Sequence, residues 1–252
     1  MDIVALTAVG VGGATVIGAL IGFAFKNISH RFTDLLLSFA AGVMMSAAVC
    51  GLIIPSIEYG ESKLSILVTI LGIFAGALVL NLLDKLVPHL HKISGVDIEK
   101  HGEANDRIGK ILLFVMAIAI HNFPEGIATG VGFGSGNTMD GITIAVGIAI
   151  QNIPEGMVII SPMISAGISK KRTLFIASLT GIVEIIGTFI GYFAVQISSF
   201  ILPFALAFAG GTMLYIISDE IIPETHAHGS ERGATYALLL GFSLMLLMDY
   251  LL

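Results

Sequence analysis

Cysteine is nearly absent from this chain, tryptophan is wholly absent, and charge of either sign is scarce. Cys50 is the single cysteine in 252 residues, so an intrachain disulfide and a thiolate metal cluster are both excluded. A lone thiol in an apolar run reads as packing. Without tryptophan, an aromatic belt at a membrane surface has to rest on residues such as Tyr59, Tyr192 and Tyr250. Charged residues make up 12% of the chain and hydrophobic ones 56%, whereas an ordinary soluble domain carries about 25% charged residues. That deficit excludes a soluble globular protein. The formal charge of -6 argues against a nucleic-acid partner. Also missing is the H-E-x-x-H spacing that sets two imidazoles and a general base on one helix, which counts against an intramembrane metalloprotease, the enzyme alternative.

What the chain does have is apolar runs of about 20 residues, each long enough to cross a bilayer. Eight are present: Val4 to Phe25, Phe32 to Ile54, Leu64 to Val87, Ile108 to Phe133, Met139 to Ile164, Thr173 to Gln196, Phe200 to Ile222 and Ala234 to Leu252. The expected fold is therefore an all-α integral membrane protein of eight transmembrane helices, one transmembrane domain over residues 1–252. The first run follows Asp2 with no basic segment before it and no small-residue cleavage site after it, so a retained helix is expected there. Eleven of the twelve lysines and arginines flank odd-numbered connections, Lys63 being the exception. By the positive-inside rule those connections are cytoplasmic and both termini lie outside. The longest polar stretch, Pro88 to Asp106, carries His89, His91, Asp97, Glu99, His101 and Glu103. A solvated loop and a metal-gathering loop fit it equally well.

Two copies of one hexapeptide stand inside consecutive, antiparallel runs: His121-Asn122-Phe123-Pro124-Glu125-Gly126 and Gln151-Asn152-Ile153-Pro154-Glu155-Gly156. A carboxylate at mid-membrane costs roughly 3 kcal/mol or more, so it persists where it faces an aqueous path or a partner ion. On a helix, His121, Asn122 and Glu125 share one face, as do Gln151, Asn152 and Glu155. Pro124 and Pro154 supply no amide hydrogen, which frees the carbonyls of Ile120 and Ile150 as acceptors. Glu184, central in the sixth run, adds a third carboxylate expected to face the same interior. Oxygen and imidazole donors without thiolate suit zinc best, with iron(II), manganese and cobalt also compatible, and make copper(I) a poor match. Three ionised glutamates leave a net charge of -1 around one divalent ion and +1 around two. Helix cross-linking by buried amides is the bland alternative, and three coincident intramembrane carboxylates outweigh it. Asp219, Glu220 and Glu224, with His226 and His228, close the seventh run where a metal would leave. A charged helix end in water accounts for them equally well. Glu58 and Glu61 read as ordinary loop charges and Met44 and Met45 as packing, while Asp249 has no assigned role.

These motifs resemble the ZIP family of divalent metal transporters, specifically its bacterial, GufA-like branch, over essentially the whole chain. The paired PEG motifs carry the resemblance, with SFAAGVMM and PSIE around the second run, GIVE in the sixth and SDEIIPETH closing the seventh. It implies import of zinc, or of iron(II), manganese, cobalt or cadmium, into the cytoplasm by alternating access. It further implies a homodimer in the bacterial inner membrane, no prosthetic group, and inverted three-helix repeats flanking helices four and five. His121, Glu125, Gln151 and Glu155 would match one metal position. Asn122, Glu125, Asn152, Glu155 and Glu184 would match an adjoining one, bridged by the two PEG glutamates. The chain departs from a common family pattern in having Gln151 where the second motif often begins with His, and Asn152 where some relatives have Asp. A divalent-cation channel is the rival reading; saturable flux separates a carrier from it.

Overall fold

The computed structural model describes residues 1–25, 29–60, 65–86, 104–165 and 167–251, so most of the histidine-bearing stretch from Pro88 lies outside the described residues. Ten α-helices make up the described chain: α1 (Asp2–Gly22), α2 (His30–Ser46), α3 (Ile54–Glu58), α4 (Ser65–Leu86), α5 (Ala104–Gly134), α6 (Thr138–Ser165), α7 (Lys170–Ile197), α8 (Leu202–Ile216), α9 (Ile222–Thr225) and α10 (Glu231–Leu251). A π-helical turn, Ala47–Ile53, joins α2 to α3, and another, Ile217–Ile221, joins α8 to α9. The ten helices thus form eight long rods. Seven are long and apolar enough to span a bilayer among the residues searched, and α5, at 31 residues, is the eighth rod. Each falls on one of the eight apolar runs. The chain is an all-α, multi-pass membrane protein.

Local chemistry fixes the rod ends. The Ser29 hydroxyl accepts from the amide of Phe32 at 3.3 Å and caps α2, and Pro203 sits in the first turn of α8, where a missing N–H costs little, while Pro55 and Pro223 lie inside their rods, directly after the two π turns. Gly167, at φ +81°, and Gly229, at φ +79°, turn the chain between α6 and α7 and before α10. A side chain at either would be strained.

The rods pair in two groups. One contains α1, α5, α6 and α7, in which α5 runs along α7 and α1 along both α6 and α7; the other contains α2, α4, α8 and α10, in which α2 runs along α10 and α4 along α8. Exchanging α1 with α7, α2 with α8, α4 with α10 and α5 with α6 maps α5–α7 onto α1–α6 and α2–α10 onto α4–α8 and leaves α1–α7 in place, as an inverted repeat requires. The exchange leaves a trace in the sequence. Phe39-Ala40-Ala41-Gly42-Val43-Met44-Met45 in α2 matches Phe208-Ala209-Gly210-Gly211-Thr212-Met213-Leu214 in α8, and each is followed by a π turn and an Ile-Ile-Pro step, at Pro55 and Pro223. Gly42 meets the backbone of α10 at Leu238, and Gly211 meets that of α4 at Ile73. The glycine-rich stripes in the second and seventh runs are therefore close helix crossings.

The groups pack against each other chiefly through α2 on α6 and α5 on α8. At one end, Tyr59, just after α3, donates its hydroxyl to Asp140 of α6 at 3.1 Å, and Asn137 and Ser135 donate to the same carboxylate at 2.6 and 3.3 Å. Burial pushes the Tyr59 phenol above its ordinary pKa, so it keeps its proton. Away from that end, the π turn after α8 reaches α5 through Glu220 and His121.

Candidate functional site

The site forms where α5, α6 and α7 cross. Gly126 lies against the backbone carbonyl of Glu184 and Gly156 against that of Thr15 in α1, while Gly12 and Gly181 abut each other where α1 crosses α7. A Cβ at Gly126 or Gly156 would overlap a main-chain oxygen. The glycine that ends each hexapeptide is thus a requirement of the crossing, and it holds the preceding glutamate one residue away from a neighbouring helix.

Glu125, Gln151, Asn152 and Glu184 are fully buried, and Asn122 is 1% exposed. The sequence grouping holds only in part. Gln151 Nε2 donates to Glu125 Oε1 at 2.7 Å, so the second hexapeptide's amide reaches the first one's carboxylate. Asn152 Nδ2 stands 2.8 Å from both oxygens of Glu184 and also donates to the Val11 carbonyl at 3.3 Å. Each amide thus sets partial positive charge against a carboxylate that has lost its water. The three carboxylates lie within electrostatic reach: Glu125 feels Glu155 and Glu184, and Glu184 feels Glu155. His121 attracts Glu155. Among the described residues, no three His, Cys, Asp or Glu side chains stand at metal-holding distances in this conformation.

Several oxygens in this pocket of helices make no hydrogen bond at all: Asn122 Oδ1, Glu125 Oε2, Gln151 Oε1 and Asn152 Oδ1, together with Asn122 Nδ2. A buried polar atom without a partner costs about 1–3 kcal/mol. Four such acceptors beside three carboxylates form a site that lacks positive charge, and a cation would supply it.

His121 departs from the expected grouping. Its Nε2 lies 2.9 Å from Glu220 Oε2, on the π turn of the other helix group. Glu220, expected only at an exit, thus reaches the edge of the central cluster, whereas Asp219 is exposed and Glu224 half-buried. Exposure rises in one direction, from Glu125 at 0% to His121 and Glu220, whose side chains are 19% and 17% exposed. Glu155 is half-buried. The cluster is sealed toward Tyr59 and Asp140 and partly open toward Glu220. Sequence reasoning missed the Val11 carbonyl and Thr15, whose buried hydroxyl is also unpartnered. Thr15 answers to Glu184 under the helix exchange, since Gly12 and Gly181 each stand three residues before them.

Comparison with known proteins gives this geometry its family. A sequence model of the ZIP zinc transporter family matches residues 99–249, a span that contains both hexapeptides, Glu184 and Glu220. The zinc transporter GufA of Myxococcus xanthus is 38% identical over 243 residues, covering 94% of this chain and 94% of its own length. ZIPB of Bordetella bronchiseptica, a zinc transporter, is 34% identical over 94% of this chain and 77% of its own length. The zinc transporter ZupT of Chlorobaculum parvum is 36% identical over 93% and 91% respectively. With matches that span nearly the whole sequence and a family profile that takes in every carboxylate of the cluster, the chain belongs to the ZIP zinc transporter family.

Proposed function

We propose that this protein carries zinc, or a similar divalent ion, across the membrane into the cytoplasm, with the ion held between α5, α6 and α7. The observation that carries the reading is the set of buried oxygens of Asn122, Glu125, Gln151 and Asn152 that lack hydrogen-bond partners beside three glutamates. Glu125, Glu155, Glu184, Asn122, Gln151, Asn152 and His121 are the proposed ligands. Ion entry turns the amides of Gln151 and Asn152 so that oxygen replaces nitrogen toward the ion, and the carboxylates exchange amide hydrogens for a divalent charge. No step requires bond making in the protein. One ion leaves the glutamates with a net -1 and two leave +1, and the bridging position of Glu125 and Glu155 accommodates either.

The concentration of basic residues at odd-numbered connections supports a cytoplasmic location for the Glu220 end and outer positions for both termini. On that orientation the ligands form a descending series: Glu125 with Gln151 deepest, Glu155 and His121 one turn nearer the cytoplasm, then Glu220. The ion passes from the glutamates to His121 and Glu220, and Tyr59 with Asp140 closes the outer side meanwhile. Movement of the α1, α5, α6 and α7 group against the other would reverse the seal. The wide apolar faces of both groups meet lipid, and the resemblance to the family supports assembly as a homodimer in a bacterial inner membrane, which light scattering on the detergent-solubilised protein tests by mass.

Uptake into reconstituted vesicles tests the function. Glu125→Ala and Glu155→Ala each abolish saturable zinc uptake while the purified variants keep their helical circular dichroism. Wild-type flux that rises linearly with ion concentration would overturn the carrier, and undiminished zinc flux in both variants would overturn the site.

A further inference from the structure

Asp34 lies in the second turn of α2, at the end of the molecule away from Tyr59, and takes no part in the cluster described above. Its side chain is buried, at 2% exposure. Asp34 Oδ1 stands 3.2 Å from His228 Nδ1, in the turn before α10, while Asp34 Oδ2 has no hydrogen-bond partner. One turn further along α2, the buried hydroxyl of Ser38 is unpartnered as well. His228 is one-third exposed. The exposed ring of His30 lies beside it, with ring centres 5.4 Å apart and planes tilted by 33°. A buried carboxylate with one oxygen unpartnered thus stands against one imidazole at the surface, and a second imidazole lies beside the first.

These separations are those of ligands sharing an ion. Two atoms each about 2.0–2.1 Å from one tetrahedral zinc stand roughly 3.3 Å apart, and the centres of two imidazoles on that zinc stand roughly 5 Å apart. Among the described residues no three such side chains have yet closed on one point, and rotation of the exposed His30 ring supplies the third. His226 is engaged elsewhere: its Nδ1 faces the Ile222 carbonyl at 2.9 Å and its Nε2 the Thr235 hydroxyl at 3.2 Å.

We propose that Asp34, His228 and His30 form a second divalent-metal site, at the end of the α2, α4, α8 and α10 group and separate from the intramembrane cluster. With one carboxylate, two imidazoles and an open position, it takes a borderline ion such as zinc or cobalt(II). Its cytoplasmic location rests on the orientation proposed above, and there it would receive ions released past His121 and Glu220. Its existence as a metal site does not depend on transport.

Cobalt(II) titration of the purified full chain carrying Glu125→Gln and Glu155→Gln tests it, because binding at the intramembrane cluster is then crippled. Adding His228→Gln to that chain is expected to remove one bound equivalent together with its visible d–d absorption, and adding Asp34→Asn or His30→Gln the same. Equal stoichiometry and an equal spectrum with and without His228→Gln would overturn the site, leaving Asp34 and His228 as a plain hydrogen-bonded pair. His228 and His30 are surface residues, so their variants decide the matter even where Asp34→Asn fails to fold. Failure of vesicle uptake in the parent chain leaves this readout intact, so the two proposals fall separately.

Discussion

The two π turns share a backbone and differ in chemistry. Ala47–Ile53 follows the Phe-Ala-Ala-Gly stretch of α2 and Ile217–Ile221 follows the Phe-Ala-Gly-Gly stretch of α8, and each leads into Ile-Ile-Pro. Counting back from the prolines, Leu52 stands where Glu220 stands. Leu52 is fully buried in the apolar core, whereas Glu220 pairs with His121 at the partly open edge of the cluster. One duplicated device thus serves as packing in the half that ends at Tyr59 and as an acidic contact in the half that reaches His121. Widened helical turns recur at functional sites because they free backbone groups and redirect side chains. Here the redirection is common to both halves, and the side chain alone decides which half reaches His121. A similar split separates α1 from α7, where Thr15 occupies the place of Glu184.

Making the halves alike is the strongest way to break this comparison. Glu220→Leu copies Leu52 into the second π turn and deprives His121 of a charge-assisted partner, an interaction of about 1.5–3 kcal/mol. Zinc uptake is expected to fall roughly ten- to a hundredfold in kcat, while Cys50→Ala, in the first π turn, leaves uptake unchanged; vesicle flux measured on both variants compares them directly. Next in size is Gly126→Ala, whose Cβ would strike the Glu184 carbonyl. Overpacking of this kind costs roughly 1–3 kcal/mol, read as a lowered melting midpoint in detergent, whereas Gly10→Ala, which meets nothing within 4 Å, leaves the midpoint in place. Gln151→His sharpens the contrast between the two hexapeptides. An imidazole is a better zinc ligand than an amide oxygen, so the KM for zinc should fall several-fold, and an unchanged KM would place Gln151 outside the ion's reach. The smallest effect is expected from Tyr59→Phe, which removes one partly exposed hydrogen bond of about 0.5–1 kcal/mol between the two groups. It should raise amide hydrogen exchange around Tyr59 and Asp140 and leave the fold intact.

Much of the fold was legible because hydropathy reports burial in lipid one run at a time. All eight rods fall where apolar runs of sufficient length occur, and the PEG repeats lie at the centre of the buried polar cluster, the place where a carboxylate in such a run draws attention. Pairings between rods were less visible. Gly42, Gly126, Gly156 and Gly211 mark crossings, but small residues look alike in sequence whichever helix they meet. The Phe-Ala-x-Gly-x-Met repeat and its Ile-Ile-Pro sequel were there to be read, and only the paired π turns give them meaning. Nor does spacing along one helix predict that Gln151 would hold Glu125, or that His121 would turn to Glu220 on a distant segment. Those contacts depend on the relative heights of three or four rods, which the 3.6-residue period does not encode. Asp34 was overlooked for the same reason: its partner His228 is close only after α2 and α10 have packed.

Gly156 rests on α1, Gly12 of α1 on Gly181 of α7, and Gly126 on α7 again, so the acidic residues of three rods are joined by an unbroken chain of main-chain contacts. Side-chain packing can yield by rotating; bare backbone in contact cannot. On the proposed carrier reading, the backbone of this cage would move as one body, admitting or discharging its cargo when the whole carriage is uncovered at one face or the other. Selectivity among metals would then be set by the side chains within a fixed frame, and it should resist changes in lipid thickness that alter how fast the carriage travels.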